Sequence, residues 1–253
     1  MPTTKTSKKN ELYPYRMFQH SIDQHEMLRV KILHSLPTTH YSLLLLCILI
    51  LSLRCSLCAE PSMPQKVTAI ATQANEKYLE GELLPAEKGY QQALSMDPEN
   101  SNSLNHLAAI KTRLGKSQEA EQLLRKSLQL KLENPAAWLL LGMNCLDQKR
   151  NDEAFAALIQ ATLYDPKNSR AQHYLGIAAG HKGWNEISET ALRRALELDP
   201  NYGDAHFNLA VYYLRRTPPA IELARRHYQR ALDLGVAHDA EIEALMKQPI
   251  KTE

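Results

Sequence analysis

Small and apolar residues recur along residues 67–238 with a period of 34 positions. The period is set by three Asp-Pro pairs, in which Pro166 and Pro200 lie 34 residues apart and Pro98 lies 68 residues before Pro166. The seventh position of the repeated unit is Leu in four copies, and the eighth, twentieth and twenty-seventh positions are small in all five. The eighth-position residues are Ala74, Ala108, Gly142, Gly176 and Ala210. The body of the chain is therefore predicted to be one unit copied five times.

Each repeated position predicts a structural role. Small residues at the eighth, twentieth and twenty-seventh positions let two helices approach at the close end of the ~8–10 Å interaxial range, and the leucines fill the space between them. Gly81, Gly115 and Gly183 stand fifteenth in their copies, where a first helix must end and the chain must turn. The proline after aspartate ends the second helix, because it lacks an N–H and clashes with the preceding turn. Each copy is thus predicted to be helix, turn and helix.

The third copy carries the clearest motif, in which Trp138-Leu-Leu-Leu141-Gly142 is followed by Ala154 and Pro166. This pattern resembles the tetratricopeptide repeat, whose 34-residue unit has Trp, Leu-Gly, Ala and Pro at corresponding positions. The resemblance implies an all-α fold, a right-handed α-solenoid of helix-turn-helix repeats with a C-terminal capping helix. It also implies that the concave face is built from the first helix of each copy.

The predicted domain organisation follows this register. A leader covers residues 1–59 and a short linker 60–66, five repeats follow over 67–238, and a capping helix with a tail covers 239–253. The repeats are 67–100, 101–134, 135–168, 169–202 and 203–238. Gln73 stands in the leucine column of the first copy, which suits a terminal repeat that faces water. The second copy has Leu132 where proline is expected, and the fifth inserts residues at 217–219; both departures fall in predicted turns.

The leader predicts export. Its apolar run, residues 41–53, is shorter than the ~20 residues that span a bilayer, and it follows the basic residues Arg29 and Lys31. These features are typical of a signal peptide, and the small-residue stretch that ends at Ala59 predicts cleavage there, with the mature protein periplasmic or extracellular in a bacterium. Arg54, between the apolar run and the cleavage site, favours the alternative of an uncleaved membrane anchor. The long stretch before the basic residues predicts that translation starts at Met27.

Charge and composition exclude several classes of protein. The net charge of +2 comes from the leader, because residues 1–59 hold 7 Lys and Arg against 3 Asp and Glu, whereas residues 60–253 hold 23 against 25. A near-neutral body argues against a nucleic-acid-binding protein. Cys145 is the one cysteine of the body, so no intramolecular disulfide forms there. His173 and His181 lie eight residues apart, or ~12 Å along one helix, which is too far to share a metal ion. Phosphate-binding, dinucleotide-binding and hydrolase motifs are missing, and the sequence predicts no catalytic residue, metal site or cofactor.

The resemblance places the candidate partner-binding residues on the first helices of the last three copies. These residues are Leu139, Met143, Leu146, Asp147, Arg170, His173, Ile177, His181, Phe207, Val211, Leu214 and Arg215. They would form an apolar stripe with a cationic edge, suited to an extended segment or an amphipathic helix of a partner protein. The alternative is that several of them only pack between adjacent helices. A second candidate is a basic cluster formed by Arg215, Arg216, Arg225, Arg226 and Arg230, whose alternative is a solvated helix face.

Two functional hypotheses follow. The first is a non-enzymatic protein–protein interaction scaffold of the bacterial cell envelope, which binds a segment of another exported protein in its concave groove. The alternative is an accessory module that presents a substrate or a biosynthetic enzyme during envelope or cytochrome assembly. Self-association through the two ends of the solenoid is a third hypothesis, and membrane contact is expected only if the leader stays uncleaved.

Overall fold

The computed structural model describes residues 62–247, in which every regular element is an α-helix. The helices are α1 (Met63–Leu79), α2 (Leu83–Met96), α3 (Ser101–Arg113), α4 (Ser117–Leu130), α5 (Pro135–Asp147), α6 (Asn151–Tyr164), α7 (Ser169–His181), α8 (Asn185–Leu198), α9 (Gly203–Arg215), α10 (Ile221–Asp233) and α11 (Ala240–Lys247). None of these helices combines the length and the apolar composition that crossing a bilayer requires. The predicted signal peptide, the start at Met27 and the cleavage after Ala59 lie outside the described residues.

The first ten helices form consecutive pairs, from α1 with α2 to α9 with α10. Helices α3, α5, α7 and α9 begin at the first residue of the predicted second, third, fourth and fifth copies. Helix α1 begins at Met63, four residues before Val67. It starts early because the Ser62 N–H donates to Gln65 Oε1 at 2.8 Å and Pro64, in the first turn, has no N–H that needs a partner.

The turn inside each of the first four pairs has the same hydrogen bonds. After α5, the N–H of Lys149 donates to the Leu146 carbonyl at 2.8 Å and the N–H of Arg150 donates to the Cys145 carbonyl at 2.9 Å. This pair of backbone hydrogen bonds is the Schellman motif, which requires one residue in the left-handed helical conformation. That residue is Gly81 (φ 83°), Gly115 (φ 74°), Lys149 (φ 60°) and Gly183 (φ 74°) in the four pairs. The third copy therefore keeps the turn without its glycine.

Asparagine caps three of the first helices. The side-chain oxygens of Asn100, Asn134 and Asn168 accept from the backbone N–H three residues later, at 3.0, 3.2 and 3.0 Å. The N-cap residue of α9 is Tyr202 instead of asparagine, and its side chain makes no cap hydrogen bond. The Tyr202 hydroxyl contacts His173 of α7, as described below.

Packing joins only neighbouring helices. First helices of adjacent copies contact each other directly, whereas within residues 62–247 the second helices of adjacent copies make no comparable contact. The stack is therefore tighter on the side of α1, α3, α5, α7 and α9, which makes this side concave; we call it the first-helix face. The small residues of the repeat, such as Ala154 and Ala161, are fully buried between paired helices. Helix α11 packs through Ile242 against α9 and α10 and covers the apolar end of the stack. The predicted all-α solenoid with a C-terminal capping helix is confirmed.

Candidate partner-binding surface

The twelve predicted surface residues all lie on α5, α7 and α9, but their exposure differs. Four are exposed: Asp147, Arg170, His181 and Arg215. Five are half-buried: Met143, Leu146, Ile177, Phe207 and Val211. Three are buried: Leu139, His173 and Leu214, with 7, 3 and 9 % exposure. The nine accessible residues, five apolar and four ionisable, all lie on helices of the first-helix face.

The three buried residues are a correction to the sequence interpretation. Leu139 belongs to the apolar cluster that α3 to α7 share, and Leu214 belongs to the cluster around α8 to α11. His173 is enclosed between α7 and α9. These side chains offer little surface to a partner because the helices packed around them cover them. These three residues therefore pack between helices, which was the alternative interpretation of the sequence.

His173 joins the fourth copy to the fifth. Its Nε2 accepts from Asn208 Nδ2 at 2.8 Å, so the neutral ring carries its proton on Nδ1 and donates it to the Tyr202 hydroxyl at 3.0 Å. The Asn208 amide also donates to the Asp204 carbonyl at 2.9 Å, which fixes its orientation. Burial lowers the pKa of His173 to about 4, because the charged ring would lose its hydration. The histidine is therefore a neutral structural link at neutral pH.

A cavity of about 110 Å³ opens between α7, α8 and α9. Four of the predicted surface residues line it: Ile177 and His181 from α7, and Val211 and Arg215 from α9. Sequence reasoning missed Gly180, which also lines it. Its signal was present in the twelfth column of the repeat, where the other copies carry Tyr78, Thr112, Leu146 and Leu214.

The cations at the edge of this surface are available for a ligand. Arg215 and His181 are exposed, and neither forms an ion pair within residues 62–247. Arg170 lies 5.8 Å from the centre of the Tyr174 ring, which leaves its charge unneutralised. Asp147 is also exposed. His181 and Arg215 thus line the cavity, while the acidic Asp147 lies on the third copy.

The basic cluster of the fifth copy is a different surface. All five of its arginines are exposed. Arg225 pairs with Glu222 at 2.5 Å and Arg230 donates to the Asn201 side chain at 2.7 Å, so part of the charge is already used within the protein. Asp233 accepts from Gln229 rather than from an arginine. These local contacts are those of a solvated helix face.

Trp184 is a partly exposed aromatic residue outside the first-helix face. Trp184 is 42 % exposed and packs edge-on against Phe155, with 4.7 Å between the ring centres. The Lys182 ammonium lies 4.3 Å from the centre of the Trp184 ring. Trp184 is therefore a packed side chain with one free edge, held between the third and fourth copies.

Chemistry other than binding finds little support on the described residues. Within 62–247 no group of three or more His, Cys, Asp or Glu residues is placed to hold a metal ion. Cys145 is a buried free thiol whose pKa is raised by burial, which makes it a poor nucleophile. The sequence missed a contact between His206 and His227, whose Nδ1 atoms lie 2.9 Å apart and join α9 to α10. The spacing of 21 residues does not predict this contact, because it depends on how α9 and α10 pack in the folded protein.

Comparison with known proteins agrees with the geometry. Models of the tetratricopeptide repeat match residues 111–176 and residues 90–122 and 191–233, together about half of the chain. A protein of Caenorhabditis elegans named tetratricopeptide repeat protein 8 is 25% identical over 170 residues, which are 65% of this chain and 33% of that protein. The chain thus spans about a third of the length of this relative.

Solved structures show the same fold. Pseudomonas aeruginosa pilF is similar with a TM-score of 0.66 at 20% identity, over 72% of this chain and 82% of that chain. YrrB, described as a tetratricopeptide repeat protein with an unusual peptide-binding site, is similar with a TM-score of 0.52 at 21% identity, over 70% of this chain and 88% of that chain. Helix pairing, the matched repeat models and these structures agree, and the chain belongs to the tetratricopeptide repeat proteins.

Proposed function

We propose that this protein is a non-enzymatic scaffold that binds a segment of another protein on its first-helix face. Tetratricopeptide repeat proteins generally serve as scaffolds that bind protein or peptide partners. The observation that carries the proposal is the stripe of nine accessible residues on α5, α7 and α9, which includes an open cavity and cations without partners. Apolar side chains supply binding free energy, and charged side chains steer a partner toward them.

Phe207 and Met143 are the bulkiest half-buried apolar residues of the stripe and are its expected anchors. Replacing either with Ala should weaken partner binding by about 1–3 kcal/mol, because part of the apolar contact is lost. Replacing Arg170 or Arg215 should mainly slow association and reduce its dependence on salt. The matched control is Leu163→Ala on the outer side, since Leu163 is 65 % exposed but lies away from the stripe.

The experiment begins with crosslinking in the native cell envelope and mass spectrometry of the captured partner. Each variant is then titrated against that partner at two salt concentrations, with circular dichroism as the folding control. Full affinity in the folded Phe207→Ala, Met143→Ala double variant, together with weakened binding in Leu163→Ala, would place binding on another surface. The identity of the partner also separates a structural envelope protein from an enzyme, and so distinguishes a scaffold from an accessory module of biosynthesis.

We also propose export to the bacterial periplasm or beyond, on the basis of the apolar run 41–53 and the charge difference between leader and body. N-terminal sequencing of the mature protein should find its first residue just after Ala59. A mature protein that begins before residue 41, or that stays in the cytoplasm, would rule out the cleaved signal peptide.

A further inference from the structure

The fourth copy lacks a side chain at a position that the other copies fill. Gly180 is the twelfth residue of its copy, and Leu146 and Leu214 occupy this position in the third and fifth copies. Leu146 packs against the central apolar cluster, and Leu214 is buried. The cavity between α7, α8 and α9 lies beside Gly180, where a leucine would otherwise stand.

The backbone does not require glycine here, and packing requires it less than at the nearby Gly176. Gly180 lies inside α7 and is not among the residues with positive φ. A Cβ on Gly180 would meet only the Ser188 side chain, at 3.3 Å from Oγ, whereas a Cβ on Gly176 would come within 2.7 Å of Leu192 Cγ. Close helix packing requires glycine at 176, whereas a Cβ at 180 would require only a small shift of the Ser188 side chain. Since glycine inside a helix is less stable than alanine, Gly180 lowers stability and leaves an open space.

The walls and the rim of the cavity differ in chemistry. Its walls include the aliphatic side chains of Ile177, Leu192 and Val211. The polar residues Asn185, Ser188, Asn208 and Tyr212 also line it, and the side chains of the last three already form hydrogen bonds within the protein. At 110 Å³ the space is somewhat smaller than the ~150 Å³ apolar cavities that accept a benzene ring, and it suits one aliphatic side chain. The rim carries His181 and Arg215, and no acidic residue lines the cavity. The charge of the rim therefore complements an anionic group on the occupant.

Glu189, the carboxylate of α8 that contacts α9, is already engaged. Glu189 accepts from the hydroxyls of Tyr212 and Tyr213 at 3.0 and 3.1 Å, and it also contacts Arg193 at 3.5 Å. It does not pair with Arg215 within the described residues. The guanidinium of Arg215 thus stands beside the cavity with its hydrogen-bond donors free for a ligand.

We propose that the cavity beside Gly180 receives one aliphatic side chain of the bound segment, and that an Asp or Glu close to it in the same segment contacts Arg215 and His181. This inference rests on the proposed function and deepens it, because it specifies the chemistry of the partner. Gly180 is then the specificity-determining residue: it keeps open the space that a side chain would close.

The test uses a phage-displayed library of random twelve-residue peptides, selected on the full chain and measured by titration of the enriched peptides. We expect the enriched peptides to share an aliphatic residue within two positions of an Asp or Glu. Gly180→Leu should weaken their binding at least tenfold, because the new side chain fills the cavity. Gly180→Ala should raise the melting temperature or leave it unchanged while it also weakens binding, a combination that a merely structural glycine would not give. Arg215→Glu should remove the preference for an acidic residue.

Ala156→Leu, which adds the same side chain at an exposed position of α6, is the matched control and should leave binding unchanged. If the enriched peptides bind the Gly180→Leu variant as tightly as they bind the unmodified protein, the proposal that the cavity receives a side chain is wrong. If those peptides still bind the Phe207→Ala variant more weakly, the proposed function stands although the proposal for the cavity fails. Selection that enriches no peptide dependent on Phe207, Met143 or Gly180 would overturn both.

Discussion

Replacing Lys149 with Gly should stabilise the protein by about 0.5–1 kcal/mol. Lys149 holds the left-handed turn between α5 and α6 with φ at 60°, a conformation that costs a residue with a Cβ ~1–2 kcal/mol. Glycine removes this strain but gives back ~0.5–1 kcal/mol, because it has more freedom in the unfolded chain. At the equivalent Gly115 a Cβ would meet no atom within 4 Å, so the effect is one of backbone conformation and not of packing.

The assay is thermal unfolding followed by circular dichroism. For a folded body of this size ~1 kcal/mol corresponds to a shift of about 2–4 °C, so Lys149→Gly should melt about 1–4 °C higher. Lys131→Gly is the matched control, since Lys131 is also exposed but has φ at −146°, and there glycine should leave the melting temperature unchanged or lower it. A lower melting temperature for Lys149→Gly, or equal shifts for the two variants, would refute the argument from backbone strain.

Three further predictions test the packing. Ala154→Leu should cost about 1–3 kcal/mol in thermal melts, because Ala154 is fully buried between α5 and α6, while Ala156→Leu on the exposed side should cost little. His173→Gln should make the free energy of unfolding less dependent on pH. An unfolded histidine takes up a proton near pH 6.5, whereas folded His173 does so only near its pKa of about 4, so protonation favours the unfolded chain as the pH falls. In urea titrations the unmodified protein should therefore lose about 2–3 kcal/mol more stability than the variant between pH 6.5 and 4. Lys111→Met should cost about 1–3 kcal/mol in the same assay, because Glu87, 2.6 Å from Lys111 Nζ, would keep only the more distant Lys116, at 3.9 Å, as a cationic partner, and adding Glu87→Gln should restore part of the loss.

The sequence predicts the helices well because the signal repeats. A single copy with Lys149 in place of glycine would give a weak turn prediction, but three other copies with glycine in the same register require a turn there. The early start of α1 was missed, since it depends on a local contact between Ser62 and Gln65 and not on the period. Repetition predicts what the copies share, and it says nothing of what one copy does alone.

The surface is less predictable for the same reason. The period assigns His173 to the first-helix face, but its burial depends on Tyr202, which stands where three other helices have a capping asparagine, and on Asn208 of α9. A side chain on that face is exposed or covered according to how closely the next copy approaches. This approach is a three-dimensional property of two specific copies. Gly180 is the opposite case, because the column of twelfth residues marks it in the sequence itself.

The neighbour-only packing of α1 to α11 determines how the protein folds. Contacts between helices join residues within one copy or in the next, so each step of folding closes only a short loop and the entropy lost per step is small. Folding can begin in any adjacent pair and advance along the stack as a front, with the stability of each step set by one interface. The two ends then open first on unfolding. A partner that bridges α7 and α9 adds to the last of these interfaces, and it therefore slows the loss of the C-terminal copy most.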